Sequence, residues 1–166
     1  MHITIDFQDD DYQRIIEQLS DSRNVGLALA SVGEALVPIN LDRHERAVNP
    51  DETPWEPLKP STKARKTKPY PLRESGEMLS IHYQVSGDTL KIGSSDWKAK
   101  WHHFGTGPFT IKPKQARVLL IPGVGFRAKA EHPGLPAREI VGFDRADREA
   151  AENAIADFYD EILNQV

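Results

Sequence analysis

The chain has 166 residues, 39% hydrophobic and 28% charged, with a formal net charge of −4. That suits one domain with a sizeable core and is too mildly acidic to mark a nucleic-acid binder by charge alone. It contains no cysteine, which excludes disulfides, thiolate zinc sites and cysteine nucleophiles.

The opening "MHITIDFQDDDYQ" turns acidic at once, without a basic segment and apolar run, so no signal peptide is expected. No stretch reads as apolar over the length a bilayer demands, and a soluble, unexported protein is expected. Ile3, Ile5 and Phe7 alternate with Thr4 and Asp6, which predicts a short half-buried strand over 2–7. Asp9 or Asp10 then caps a helix with Ile15, Ile16 and Leu19 on its apolar side. A second helical pattern starts near Asn24, with Val25, Leu29, Val32 and Leu36 three or four apart. Pro38 is expected to kink or end it, with a tail through Arg46 left open.

Composition changes next. Prolines stand at 50, 54, 57, 60, 69 and 71, interleaved with Lys59, Lys63, Arg65, Lys66 and Lys68. So many residues without an N–H donor cannot make one helix or a central strand, and "KPSTKARKTK" has little apolar surface to offset ordering. Residues 47–71 therefore read as a long basic arm, mobile in the free subunit.

Regular structure resumes with Leu79, Ile81, Tyr83 and Val85 alternating, a turn over Ser86–Asp88, and Leu90 and Ile92 alternating again, which is a β-hairpin. "DWKAKWHHFGTG" predicts a helical turn from Asp96 closed by Gly105, and "FTIKPKQARVLLIPGVGF" one or two strands with a central apolar run at 118–121. "KAEHPGLPAREIVGF" is a loop back into the fold. In the last helix Asp144 is the cap, Asp147 completes a capping box, and Ala151, Ile155, Phe158 and Ile162 line one face. The expected fold is α+β. A small, mainly antiparallel sheet packs against N-terminal helices and a C-terminal helix in a single domain over 1–166, with the basic arm as an appendage.

The candidate chemistry is thin. His102 and His103 are adjacent, so on a strand or a helix their rings diverge, and no further ligand lies at a recognised metal spacing. Gly105-Thr106-Gly107 is followed by Pro108 and Phe109 rather than Gly-Lys-Ser/Thr opening a helix, so it is not a phosphate loop. No serine sits in a nucleophile elbow. The arm offers lysines and arginines to phosphates but only Trp55 and Tyr70 for stacking. It also suits an assembly arm that orders on a neighbouring subunit.

Taken in order, "PWEPLKPSTKARK" (54–66), "LRESGEML" (72–79), "LKIGSS" (90–95), "WHHFGTG" (101–107) and "LPAREIVGF" (135–143) resemble the successive signatures of the phage virion morphogenesis family, which contains tail completion proteins. The family's His-Gln-Phe-Gly is His102-His103-Phe104-Gly105 here. Its Pro-Ala-Arg-Pro-Phe-Leu-Gly is Pro136-Ala137-Arg138-Glu139-Ile140-Val141-Gly142.

The resemblance implies a non-enzymatic part, with no cofactor or metal, that completes the tail or joins it to the head as a homo-oligomeric ring. Its partners would be copies of itself, tail tube or terminator proteins and head-connector proteins, with no membrane and no direct nucleic-acid contact. It would assemble in the host cytoplasm and reside in the virion tail or neck. Trp55, Pro57, Leu58, Lys59, Lys63, Arg65, Lys66 and Lys68 are then the expected interface. Trp101, His102, Phe104, Gly105, Pro136, Arg138 and Gly142 are expected to form a structural turn, with Trp101 and Phe104 as its anchors. The alternatives are a metal-dependent hydrolase using His102 or His103, separated by metal analysis, and a nucleic-acid module using the arm, separated by a salt-dependent DNA-binding assay.

Overall fold

A computed structural model describes residues 10–74, 80–114 and 116–164. The strand expected over 2–7, the cap at Asp9 and the side chains of Asp10 and Leu79 lie outside what is described. The elements run α1 (Asp10–Ser20), α2 (Ser22–Arg46), α3 (Pro60–Lys63), β1 (Ile81–Ser86), β2 (Thr89–Ser94), α4 (Ala99–His103), β3 (Phe109–Ile111), β4 (Leu119–Ile121), β5 (Gly125–Arg127), β6 (Ala130–His132) and α5 (Arg145–Leu163). The class is α+β, and all strand pairing between these elements is antiparallel. The strands divide among three two-stranded ladders, β1–β2, β3–β6 and β4–β5.

The chain forms two compact units. The first comprises residues 1–42, 80–95 and 143–166; the second comprises 43–79 and 96–142.

In the first unit, Val32 and Leu36 of α2 meet Ala151 of α5, with Ile39, Leu90, Ile92, Ala150 and Ala154 packed around them. Burying the Val and Leu side chains stabilises by about 1.5–3 kcal/mol each. The hairpin closes through Gly87, at φ +59, and Asp88, a two-residue loop that pairs Ser86 with Thr89 and Ile81 with Ser94. Its Tyr83 lies over Gly33 of α2. A Cβ at residue 33 would overlap the tyrosine ring, so the glycine is what lets the hairpin approach the helix. The Tyr83 hydroxyl donates to Glu34 Oε1 at 3.4 Å.

Pro38 does not end α2, which continues to Arg46. The proline only removes one donor, and Asn40 Nδ2 caps the Leu36 carbonyl at 2.9 Å nearby. The expectation that no stretch has membrane-spanning length needs correction. By length and composition α2 qualifies, with an 18-residue window of mean hydropathy 1.3. The sequence pattern obscured this because Pro38, Asn40 and Glu34 interrupt the apolar run. In this fold the apolar stripe of the helix is core surface.

α5 begins with the expected reciprocal cap, in which the Asp144 N–H donates to Asp147 Oδ2 at 2.8 Å. Its packed stripe is rotated from the expected one. Ala150, Ala151 and Ala154 meet the core, whereas Ile155 is 38% exposed.

Candidate assembly surface

The second unit carries every residue expected at the site. Its base is a turn that follows α2 directly. Asn49 N–H donates to the Thr53 carbonyl at 2.8 Å, Glu52 N–H to the Asn49 carbonyl at 2.9 Å, and Trp55 N–H to the Ala47 carbonyl at 2.8 Å. Ala47 and Glu52 adopt positive φ, 56° and 64°. Two arginines hold Glu52 there: Arg46 grips its carboxylate, and Arg43, itself buried, lies 3.4 Å away. Hydrogen bonding to Arg46, helped by the nearby charges, keeps the Glu52 carboxyl below the usual range. Asp51 is likewise lowered, because the Thr53 hydroxyl and N–H both donate to it.

Trp55 is buried, 5% exposed, with its ring edge-on to His44 at 5.2 Å. This corrects its expected place on an interface. The prolines and lysines around it hide the fact that the backbone turns its ring inward. His44 is wholly buried, and desolvation, with the Arg73 charge as the second cause, pushes its pKa down to about 4. Arg73 donates to the Glu45 carbonyl, tying the end of the basic segment to its start. Between them stands α3, one helical turn opened by Pro60.

The "WHHFGTG" segment forms α4 and the turn after it. Asp96 Oδ1 accepts from Lys98 N–H at 2.9 Å, Ala99 N–H donates to the Asp96 carbonyl at 2.9 Å, and Gly105 ends the helix at φ +70. "LPAREI" is zipped to it. Thr106 N–H donates to the Leu135 carbonyl at 2.9 Å, Leu135 N–H to the Thr106 carbonyl at 3.1 Å, and Arg138 N–H to the His102 carbonyl at 2.8 Å. Ile140 N–H donates to His103 Nδ1 at 3.2 Å, which fixes that nitrogen as an acceptor. A Cβ on Gly105 would stand 2.7 Å from the Leu135 carbonyl oxygen, so the close approach requires glycine. Gly142 is tight for the same reason, since a Cβ there would run into the Pro50 ring.

Arg138 joins these pieces. It is 5% exposed and donates through Nε at 3.1 Å and Nη2 at 2.7 Å to the Glu56 carbonyl. Glu139 N–H reaches Asn49 Oδ1 at 3.1 Å. Two separate sequence signatures, and the base of the basic segment, therefore meet at Arg138, through its backbone N–H on one side and its guanidinium on the other. Burial lowers the pKa of Arg138, and it lowers that of His102 beside it, with the Arg138 charge as the second cause.

Two concavities open on this hub. One, of about 500 Å³, is lined by Pro57, Leu58, Lys59, Arg65 and Lys66 of the basic segment, by Leu72, Glu74, Lys98 and His102, and by Leu135, Pro136 and Arg138. Lys63 and Lys68 are exposed and do not line it. The second, of about 490 Å³, is apolar, with Trp97, Trp101, Phe109 and Leu135 in its wall, and it shares Lys98, His102 and Leu135 with the first. Trp101 and Phe104 are not buried anchors of the turn. They are 46% and 78% exposed, as are Trp97 at 73% and Phe109 at 44%. Backbone hydrogen bonds hold the turn, and α4 is too short to bury a face. The apolar run at 118–121 is likewise not central. Among the described residues β4 pairs only with β5, and Leu120 and Phe126 are each 67% exposed.

Among the described residues, no three His, Asp or Glu side chains converge as metal ligands. His102 Nδ1 is buried without a hydrogen-bond partner, and His103 is turned to Ile140. Sequence reasoning missed His44, Asn49, Glu52 and Arg73, which frame the hub. Glu52 at positive φ carries no local signal, and the others act through partners that no motif spells out: His44 by ring packing, Arg73 on a backbone carbonyl, and Asn49 by accepting a distant backbone N–H.

No curated protein and no solved structure matches the chain. A family profile does match, over residues 8–159, a span that holds all five signatures: the chain belongs to the phage virion morphogenesis family.

Proposed function

We propose that this protein, a phage structural and assembly component by family, completes the tail or joins it to the head as a homo-oligomeric ring. It acts without catalysis and without a cofactor. The observation that carries this reading is the uncovered aromatic surface of Trp97, Trp101, Phe104 and Phe109. Large aromatics are strongly enriched where protein partners bind, and an isolated subunit gains nothing by leaving four of them in water beside an apolar groove. Its partners on this reading are further copies of the chain and the tail tube, terminator and head-connector proteins, met in the host cytoplasm and retained in the tail or neck. Membranes and nucleic acid have no part in it.

The test is complementation. The wild-type chain, supplied in trans to a phage deleted for the same gene, should restore infectious particles and be found in them. Trp97→Ser with Trp101→Ser should fold, as judged by circular dichroism, yet fail to restore them. Full restoration by that double variant would overturn the reading.

A further inference from the structure

Charge is unevenly shared between the two compact units. The first holds 16 acidic and 5 basic side chains, for a formal −11; the second holds 16 basic and 9 acidic, for +7. The modest net charge of −4 is thus the residue of two strong, opposite fields. Like charges repel when copies meet through the same unit, and opposite charges attract when the acidic unit of one copy meets the basic unit of the next. Such a contact joins two different surfaces; made reciprocally about a two-fold axis it closes a dimer, and made once in each direction along the assembly it is heterologous and propagates into a ring or a filament.

The surfaces can be named. On α5, Glu149, Glu152, Ala156 and Asp160 fall along one side at helical spacing, turned away from the Ala150–Ala151–Ala154 stripe, and all four are exposed; Arg145, on the same side at the helix start, is ion-paired to Glu149 at 3.0 Å, which leaves Glu152 and Asp160 as the carboxylates flanking Ala156. On the second unit, the 500 Å³ cleft has Lys59 and Arg65 exposed at its rim and apolar Leu58 and Leu72 within it. Arg138 lies in its wall beside His102, whose buried Nδ1 has no partner. Glu56 and Glu74 also line the cleft, Glu74 ion-paired to Lys66 at 3.5 Å, and the basic side chains of Lys59, Arg65, Lys66, Lys98 and Arg138 outnumber them. An apolar floor under this net cationic lining fits a helix whose small residue is flanked by carboxylates.

We propose that the acidic side of α5 seats in this cleft on the next copy, making the subunit junction of the ring. The inference rests on the ring reading and adds the pair of surfaces that make it.

The experiment is a charge swap read by sedimentation velocity. Glu152→Lys with Asp160→Lys reverses one surface; Lys59→Glu with Arg65→Glu reverses the other. All four side chains are exposed, and unchanged circular dichroism and thermal melting serve as the folding control. Each exposed pair is worth a factor of roughly two to five, so either double variant alone should associate about tenfold more weakly than wild type. An equimolar mixture of the two should regain wild-type sedimentation, because every junction again joins opposite charges. Raised salt should weaken wild type and mixture alike.

A wild-type chain that stays monomeric, variants that associate normally, or a mixture that shows no rescue would each overturn the proposal. So would a cleft variant that loses binding to a short DNA duplex while keeping self-association. In trans complementation by the wild-type chain is scored separately. If it succeeds while the swap fails, the assembly reading stands without this junction; if it fails while the swap succeeds, the junction stands and the reading falls.

Discussion

Replacing Trp55 with alanine tests the central correction to the sequence reading. An interface anchor on a mobile arm can be truncated with little effect on the melting of the isolated subunit. A tryptophan that is 5% exposed and packed edge-on against a wholly buried His44 cannot. Its indole N–H has no hydrogen-bond partner, so the loss is one of packing and transfer rather than polar bonding. Truncating a buried Trp to Ala costs about 3–5 kcal/mol, and in a chain of this length each kcal/mol lowers Tm by about 2–4 °C, so a fall of about 10 °C is expected. Trp55→Phe, which keeps an aromatic ring against His44, should cost less than half as much. Urea unfolding followed by intrinsic fluorescence reads this directly. Trp97 is 73% and Trp101 46% exposed, against 5% for Trp55, so the most blue-shifted emission belongs to Trp55 and should disappear in the variant. A stability loss below about 1 kcal/mol, with the blue component intact, would refute the placement of Trp55 in the core.

Two further outcomes follow from the same hub. His44 titrates near its ordinary 6.5 when unfolded but at about 4 when folded, so the unfolded chain binds the proton first as pH falls. Its stabilising contribution is complete above 6.5 and is lost between 6.5 and 4, amounting to about 3 kcal/mol; urea titrations across this window should show the decline in wild type and a flatter profile in His44→Phe. Gly105→Ala places a side chain at φ +70 against the Leu135 carbonyl and should destabilise by about 1–3 kcal/mol, measured by thermal melting, while Gly107→Ala, with open space around it, should cost much less.

The elements legible in the sequence are those whose reasons are local. Asp144 and Asp147 sit three apart at a helix start, Gly87-Asp88 separates two alternating runs, and Gly105 follows a helical turn. Each is a short-range signal that the structure realises with hydrogen bonds inside the same segment. What stayed hidden depends on residues far apart in the chain. Trp55 sets its ring edge-on against His44, across a turn that no local pattern announces, and Arg138 is engaged by a carbonyl 82 positions away. The aromatics of "WHHFG" look like core residues by type, and only the shortness of α4 leaves them in water. The division into two oppositely charged units is invisible to a net charge of −4, because each unit is assembled from separate stretches.

That interleaving has a consequence for how the chain is made. The first unit is written in three instalments, and its core cannot close until the last is synthesised. Val32 and Leu36 leave the ribosome early; Leu90 and Ile92 reach them next, and Ala151 last. At about 5–20 residues per second, the roughly 115 residues between Leu36 and Ala151 take on the order of ten seconds. Throughout that interval α2, the one described helix with the length and hydropathy of a membrane segment, stands without its final cover. In that interval the nascent chain offers the apolar stripe of α2 to a holdase, and the expected outcome is that yield in a host short of chaperones falls more for the wild type than for a variant with a less apolar α2.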